Sequence, residues 1–431
     1  MDRDSRKRKL GEIKSSAPEM TGVRVLYKGE IKEFDAFQIP LEYLIYNKLN
    51  GRISSAVKSY EKQYWELDAE KIEDQKTIEK FLWDSKPDRN NTTMVSLIKD
   101  HQQRYGIVTA DGIIIDGNRR AFLLNKIWRE RENKKISVEH CQYFIAIILP
   151  EDASEKEVMA LETKYQMGED EKLDYNPIEK YLKCYDLKKL GFSEDDIATM
   201  MGEKSSQIKK WISILNLMDD YLENYNYEGI YTRLDEREDQ FISLHDYINK
   251  YNAGNIHMDW TYEDTDINDL KVICFDYIRA KYEGKDFRNI GQASKKNKGS
   301  LFSCGEIWQK FTQEHFNKLR DVTEDSIEKI RQSNPDGDLS ILLSERDKIW
   351  TDKIKDILEH NLMYFTRKLE DMQDSDQPLV LIQKAFETLN LIDTDVESFY
   401  KEDAVLEQIK EVSKLCWDFQ QIIKNKRKTS N

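Results

Sequence analysis

The hydrophobic and polar positions of the first 170 residues alternate between strand-like and helix-like periods. The alternation at Val23–Tyr27 predicts a strand, and two β-branched runs around the Ala-Asp-Gly turn at 110–112 predict a tight β-hairpin. Helical spacing follows in "RRAFLLNKIWRERENKK", and the apolar segment "YFIAIILP" predicts a buried strand. Residues 21–167 are therefore expected to form one mixed α+β domain.

Three further helices complete this predicted domain. The segments "EDQKTIEKFLWD" and "TTMVSLIKDHQQRYG" have helical spacing, and Gly106 is expected to end the second one. The segment "SEKEVMALETKYQM" predicts a helix that begins with a capping box of Ser154 and Glu157. Between the first strand and these helices, a short apolar segment at 39–42 leads to a polar turn at 47–52.

Residues 168–220 show the spacing of three consecutive helices. Pro177 stands at the start of the first helix, Ser193 caps a short second helix that ends at Gly202, and Ser205 is the expected cap of the third. A short turn between the second and third helices is typical of a helix-turn-helix. A plain three-helix bundle with solvated lysines is the alternative interpretation.

The remaining segments are predicted from composition and spacing. Residues 1–20 are expected to form a basic flexible arm, either an unordered tail or an arm that seeks phosphates. Residues 221–300 are expected to form a helical connector that ends in a polar linker, "YEGKDFRNIGQASKKNKGS". Residues 301–431, with apolar positions at helical spacing, are expected to form an α-helical C-terminal interaction domain.

Charge and cysteine content narrow the class of protein. The formal net charge of −14 argues against non-specific coating of DNA, although a local basic surface still acts over a Debye length of about 8 Å. The five cysteines form no CxxC pair, which excludes a recognisable zinc finger or disulfide framework. No apolar run approaches the roughly 18 residues that a membrane span needs. We expect a cytoplasmic protein without a membrane partner.

The turn Asp116–Arg120 carries the clearest chemical signal. A helix N-terminus favours anions, so two arginines in its first turn are best explained by a bound anion such as phosphate. One arginine is expected to contact the ligand and the other an internal carboxylate. Asp116 could cap the helix, coordinate Mg²⁺ or orient a water, and Asn118 could donate to phosphate or sugar. The alternative is a capped helix with surface ion pairs.

The order of these segments, from the "NGR" turn through "IIIDGNRRAFLL" and "ETKYQMGEDEKLDYNPIEKYLK" to the three helices, resembles the ParB/sulfiredoxin-like superfamily. The resemblance covers about residues 22–220 and is closest to ParB-type proteins, in which a nucleotide domain precedes a DNA-binding helix-turn-helix. It implies bound nucleoside triphosphate (CTP, ATP or GTP) with Mg²⁺. The nucleotide-binding residues that it implies are Gly117, Arg119, Arg120, Asn50, Arg52 and Gln166.

The resemblance leaves hydrolysis open. The nucleotide-hydrolysing members of the family have a glutamate where this chain has Asn118, and the joining segment lacks their Asn-x-Gln-Arg pattern. The "DGNRR" turn is also similar to an Asp-Gly-Gln-Gln/His-Arg turn of relatives in anti-phage defence and DNA modification. Asp116 and Asn118 are the candidate catalytic residues, and Asp116 is the candidate metal ligand.

The start of the third helix in 168–220 is the candidate DNA-binding surface. Gln207 can read adenine, while lysines contact guanine or phosphate. The candidate DNA-binding residues are Ser205, Ser206, Gln207, Lys209 and Lys210. A homodimer is expected, and the C-terminal helices could also bind a protein partner.

The sequence thus predicts a ParB-like DNA-binding protein that binds, and could hydrolyse, a nucleoside triphosphate to switch its binding of DNA or a partner. Two alternatives remain. One is a nucleotide-hydrolysing or nuclease effector of an anti-phage defence or DNA-modification system. The other is an interaction scaffold without a ligand.

Overall fold

The computed structural model contains two compact units, Met1–Met363 and Tyr364–Asn431. Most of the predicted joining segment, 169–175, and part of the predicted linker, 293–298, lie outside the described residues. The described residues are 1–133, 137–168, 176–254, 256, 258–292, 299–335 and 337–429.

A five-stranded sheet lies at the centre of the N-terminal part and confirms the predicted mixed α+β class. Its order is β1-β2-β5-β3-β4, and all neighbours are antiparallel except β3 and β5. The predicted hairpin is the β3–β4 pair. The strands are β1 (Met20–Tyr27), β2 (Glu30–Pro40), β3 (Gly106–Val108), β4 (Ile114–Asp116) and β5 (Tyr143–Ile148).

Five helices surround this sheet. Four of them share an apolar core with one face of the sheet, and the fifth contributes Leu161 to a second apolar cluster on the opposite face. In α2, four polar residues are buried on one face, so the helix lacks the apolar stripe from which the sequence could have predicted it. The helix α4 ends at Asp100, before the expected Gly106. The five helices are α2 (Ser54–Gln63), α3 (Ile72–Asp84), α4 (Pro87–Asp100), α5 (Asn118–Arg129) and α6 (Glu155–Thr163).

The expectation of a flexible arm at residues 1–20 is wrong. Residues Arg3–Lys14 form helix α1, in which Arg6 and Leu10, one turn apart, are 1% and 0% exposed. The Arg6 guanidinium donates to the backbone oxygen of Asp111 and, at 2.7 Å, to Glu70. These two buried side chains anchor a helix whose other positions are mostly charged.

Three helices follow at the predicted positions: α7 (Pro177–Lys189), α8 (Glu194–Met201) and α9 (Ser205–Asn224). They pack around an apolar cluster that includes Ile197 and Ile208. Ser193 caps α8 with a capping box, as expected. The expectation that Ser205 caps α9 is wrong, because Ser205 is its first helical residue and its hydroxyl donates to the Asp195 carboxylate instead.

The rest of the described chain is mainly helical. The first half of the predicted linker contains α12, in which Phe287 and Ile290 are buried, so this half belongs to the folded unit. The boundary between the two compact units falls within α15 rather than at residue 300. The helices are α10 (Glu238–Asn252), α11 (Asp264–Arg279), α12 (Gly284–Gly291), α13 (Gly305–Leu319), α14 (Ile327–Ser333), α15 (Leu339–Asn390), α16 (Glu397–Lys401) and α17 (Asp403–Thr429).

The five cysteines are free, and four of them are buried: Cys141, Cys184, Cys274 and Cys304. Burial raises the pKa of Cys184 to about 12 and that of Cys304 to about 11. Cys416 on α17 is exposed. Among the described helices, none combines the length and apolar character required to cross a bilayer.

Candidate functional site

The strand β4 passes into α5 through a turn that requires glycine. Gly117 precedes the first residue of α5 and has a φ of +96°. A Cβ atom at this position would lie 2.6 Å from Cζ of Phe144 and 3.2 Å from Nη2 of Arg120. The backbone therefore turns sharply against the sheet, and this turn places Arg119 and Arg120 in the first turn of α5.

Substitution of Gly117 by alanine is expected to lower the free energy of unfolding by about 2 kcal/mol, because positive φ and the Phe144 contact both oppose a Cβ atom. Urea denaturation measures this change. Gly11→Ala is the matched control, since Gly11 lies in α1 with no atom within 4 Å of an added Cβ. Equal stability of Gly117→Ala and wild type would contradict the strained turn.

Asn118, a candidate catalytic residue, is 2% exposed and is bonded to the fold at both ends of its amide. Its Oδ1 accepts from the backbone N–H of Asn47 at 2.9 Å, and its Nδ2 donates to the backbone oxygen of Ile114 at 2.8 Å. Asn118 thereby ties the start of α5 to the loop at 47–52. In this arrangement Asn118 holds the turn at Gly117 in place relative to the loop.

Arg120 contacts an internal carboxylate. Its Nη2 donates to Asp116 Oδ2 at 2.7 Å, and its Nη1 donates to the backbone oxygens of Arg104 and Tyr105 at 2.6 and 3.1 Å. The two side chains of the ion pair are 21% and 22% exposed. Arg120 therefore fixes the turn against the segment before β3.

A cleft of about 770 Å³ opens at this turn. We refer to it as the arginine cleft. It brings together residues from four separate segments of the sequence, including every candidate catalytic, nucleotide-binding and metal-binding residue. These residues are Asn50, Arg52, Asp116, Gly117, Asn118, Arg119, Arg120 and Gln166.

The charge of the arginine cleft is opposite to that of the whole protein. Among the described residues that line it, Asp116 is the one carboxylate, and His101 lies at the wall. In a chain with a formal net charge of −14, this concentrates positive potential at one place. Five arginines line the cleft: Arg52, Arg89, Arg104, Arg119 and Arg120.

Arg89 and Arg104 were not predicted as site residues. Arg89 lies near the start of α4, and Arg104 lies between α4 and β3. Both occur in polar stretches of the sequence where an arginine carries no positional signal. Only the fold brings them to the turn at 116–120.

Asn50 and Gln166, two of the candidate ligand residues, also have contacts within the fold. Asn50 is 1% exposed, and its Oδ1 accepts from the backbone N–H of Arg52 at 2.9 Å. Gln166 is 3% exposed, and its Nε2 donates to the backbone oxygen of Ile115 at 3.1 Å. Both side chains therefore hold the wall of the cleft in place.

Buried charged groups connect residues 50–55, which include the end of the loop and the start of α2, to α6 and α7. Glu162 Oε1 accepts from the backbone N–H of Gly51 at 3.1 Å, and Glu162 Oε2 forms an ion pair with Lys183 Nζ at 2.8 Å. The side chains of Glu162 and Lys183 are 1% and 2% exposed. On α7, Glu179 accepts from the hydroxyl of Ser55 at 2.6 Å and from its backbone N–H at 3.1 Å. The loop is thus bonded directly to the first helix of the three-helix segment.

Burial raises the pKa of Glu179 from its ordinary 4.5 to about 7, although the hydrogen bonds from Ser55 favour the charged carboxylate. Between these pH values the folded state binds more protons than the unfolded state. The free energy of unfolding is therefore expected to fall as pH rises from 4.5 to 7, by about 3 kcal/mol from this group. The contribution is largest below pH 4.5 and is lost above pH 7.

Glu179→Gln tests this dependence, because the amide does not titrate. Urea denaturation at several pH values should give a difference in stability between variant and wild type that changes from pH 4.5 to 7. A difference that stays constant across this range would show that the pKa of Glu179 in the folded protein is not raised above its ordinary value.

The metal-binding expectation rests on Asp116 alone. No group of three or more histidine, cysteine, aspartate or glutamate side chains that could hold a metal ion was found within the described part of the chain. One oxygen of Asp116 already accepts from Arg120. Asp116 could therefore supply one ligand to a Mg²⁺ ion, and the phosphates of a ligand would have to supply others.

The candidate DNA-binding residues have different surroundings. Ser206 and Lys209 are exposed and Gln207 is partly buried at the start of α9. Lys210 forms an ion pair with Asp246 at 2.8 Å, and Ser205 is bonded to Asp195. The freely exposed basic side chain among the five is thus Lys209.

The arginine cleft, its glycine turn and its buried links to α7 are features of this chain's own residues and geometry. Comparison of the chain with protein-family models, curated proteins and solved structures finds no match.

Proposed function

We propose that the chain binds a nucleoside triphosphate in the arginine cleft and that binding alters how α7–α9 contact DNA. The observation that carries this proposal is the convergence of five arginines on the glycine turn at Gly117. Guanidinium groups match phosphate oxygens in geometry and charge, and the N-terminus of α5 adds further positive potential.

The size and lining of the cleft favour a nucleotide over a simple inorganic anion. Its volume of about 770 Å³ lies in the range of small-molecule sites. Its wall also contains neutral hydrogen-bonding and aromatic residues, such as Thr93 and Tyr165, which a lone phosphate would not need. The resemblance to ParB-type proteins supports the same ligand class, with CTP, ATP and GTP all open.

Arg120 and Asn118 hold the turn through their contacts within the fold. We assign phosphate binding to Arg52 and Arg119, because both line the arginine cleft and guanidinium groups match phosphate oxygens. Mg²⁺ would enter with the nucleotide and find Asp116 at the wall of the cleft. Binding is the proposed activity, and Asp116 is the carboxylate in this cleft that could orient a water for hydrolysis.

The buried bonds between the loop at 50–55 and α7 provide a route for coupling. A ligand that moves Arg52 would also shift the neighbouring backbone, which is hydrogen-bonded to Glu162 and Glu179. Nucleotide binding would then favour one position of α7, and with it of α8 and α9. Ser206, Gln207 and Lys209 would contact DNA, with weak affinity for one copy because the basic surface is small.

A homodimer would strengthen this weak DNA contact. In the C-terminal unit, apolar residues of α17 recur at alternating spacings of four and three, which is typical of helices that associate. Several of these side chains are 37–48% exposed: Ile409, Val412, Phe419 and Ile423. We propose self-association through this face, which sedimentation equilibrium of the full chain tests directly. A monomer at all concentrations would contradict it.

The test of the proposed function is a calorimetric titration of the full chain with ATP, GTP, CTP and UTP in the presence of Mg²⁺. We expect micromolar binding of at least one nucleotide and a change in the protein's affinity for DNA fragments when that nucleotide is present. Absence of binding by all four, with and without DNA, would leave the scaffold alternative. Release of nucleoside diphosphate, or DNA cleavage, would favour the effector alternative.

A further inference from the structure

A second cavity of about 800 Å³ adjoins the arginine cleft. The two share Arg52 and Arg119, which line both. One face of α2 forms a wall of this second cavity, from Ser55 through Ser59 to Gln63. We call it the aromatic compartment. A ligand bound to the shared arginines can therefore extend into it.

Four aromatic side chains line the aromatic compartment: Tyr60, Tyr64, Trp65 and Phe81. The ring centroid of Tyr60 lies 4.8 Å from that of Tyr64, 5.5 Å from that of Trp65 and 5.8 Å from that of Phe81. Tyr64 and Trp65 are 44% and 56% exposed, so their faces are not covered by the core. Such partly open aromatic clusters suit a planar ring that stacks on them.

The two exposed rings are held in place before any ligand binds. Trp65 Nε1 donates to Asp74 at 3.1 Å, and the hydroxyl of Tyr64 accepts from the backbone N–H of Leu339 at 3.1 Å. Fixed side chains lose little conformational freedom when a ligand stacks on them. The aromatic cluster is therefore preorganised for a stacking ligand.

Gln63 adds a hydrogen-bond acceptor. It lines the same compartment, is 8% exposed, and donates through Nε2 to the backbone oxygen of Ser59 at 2.7 Å. Its Oε1 is buried and has no hydrogen-bond partner among the described residues. A buried acceptor without a donor is costly, so a ligand N–H group at this point would be stabilised.

We infer that the aromatic compartment holds the base of the bound nucleotide and that this base carries an exocyclic amino group. The base would stack on Trp65, and its amino group would donate to Gln63 Oε1, while the phosphates bind Arg52 and Arg119. This inference rests on the proposed nucleotide binding. It selects adenine, cytosine and guanine nucleotides over uracil nucleotides, because uracil has no exocyclic amino group and its N3–H lies between two carbonyl oxygens that Gln63 Oε1 would repel.

The experiment compares ATP, CTP, GTP, UTP and inorganic tripolyphosphate, each with Mg²⁺, on the full-length protein. At least one amino-bearing nucleotide should bind about tenfold or more tighter than tripolyphosphate, and UTP should bind more weakly than that nucleotide. Trp65→Ala and Gln63→Leu should each weaken the preferred nucleotide about tenfold without changing tripolyphosphate binding. Trp417→Ala is the control, since Trp417 is 59% exposed in the C-terminal unit.

Tripolyphosphate that binds as tightly as every nucleotide would overturn the base site while leaving the phosphate site in the arginine cleft. Preferred binding of UTP would overturn the assignment of Gln63 as acceptor from an amino group. Nucleotide affinity that is unchanged in Trp65→Ala would overturn the stacking. Failure of tripolyphosphate and all nucleotides to bind would overturn the proposed function and this inference together.

Discussion

Replacement of both Arg52 and Arg119 by alanine is expected to abolish nucleotide binding at concentrations that saturate the wild-type protein. Both arginines line the arginine cleft and the aromatic compartment, where phosphates and base would meet. Each charge-assisted hydrogen bond to phosphate contributes about 1.5–3 kcal/mol, so the loss of both should weaken binding at least about 100-fold. Calorimetric titration of the folded variant measures this loss.

Two further variants make this result specific. Arg24→Ala removes an exposed arginine of β1, opposite Glu33 in the sheet, and should bind nucleotide as the wild type does. Arg52→Lys with Arg119→Lys keeps the charge but loses the planar fork, so we expect intermediate affinity. If the double alanine variant bound nucleotide with wild-type affinity, the phosphates would not bind to Arg52 and Arg119 in the arginine cleft. Arg120 is unsuitable for this test because it holds the turn through Asp116 and two backbone oxygens.

The second large effect is expected on stability. Lys183→Met leaves the carboxylate of Glu162 buried without its cation, and both side chains are at most 2% exposed. Breaking such a buried pair costs about 3–5 kcal/mol, which should appear as a clear fall in the midpoint of urea denaturation. The double variant Glu162→Gln/Lys183→Met should recover most of this loss, since the introduced amide is neutral and its oxygen can still accept from the N–H of Gly51.

An exposed pair supplies the comparison for this prediction. Lys310 and Glu306 on α13 lie 2.6 Å apart with side chains 54% and 67% exposed, so Lys310→Met should change stability by less than about 1 kcal/mol. If Lys183→Met were no more destabilised than Lys310→Met, the buried pair would not hold the loop to α7. In the double variant, we also expect nucleotide to bind with less effect on DNA affinity.

Elements with a clear period in the sequence could be predicted. The β3–β4 hairpin, α5 and the capping box of α6 follow from β-branched runs, helical spacing and the Ser154–Glu157 pair. The helix α2 could not be predicted, because its inward face carries serines and a glutamine that line a cavity or bond to α7. The helix α1 was missed for a related reason, since most of its residues are charged and its two fully buried side chains include an arginine, Arg6.

That the candidate residues would line one cleft could be predicted, but the contacts of each residue within the fold could not. A glycine turn followed by two arginines at a helix start indicates an anion on local grounds. The inward contacts of Arg120 depend on the backbone oxygens of Arg104 and Tyr105, which lie 15 or more residues earlier in the chain. The contact of Asn118 could not be predicted for the same reason, because its hydrogen-bond partner, Asn47, belongs to another segment.

The distribution of cysteines gives the protein a single native position for chemical labelling. Four thiols are shielded by the core, and burial raises the pKa of Cys184 and Cys304 further from the reactive thiolate. The thiol of Cys416 is exposed on α17, on the same face as Val412 and Phe419. A maleimide-linked spin label or fluorophore should therefore attach at this residue without any engineered cysteine. Because Cys416 lies on the face proposed to self-associate, a bulky label at this thiol should weaken self-association.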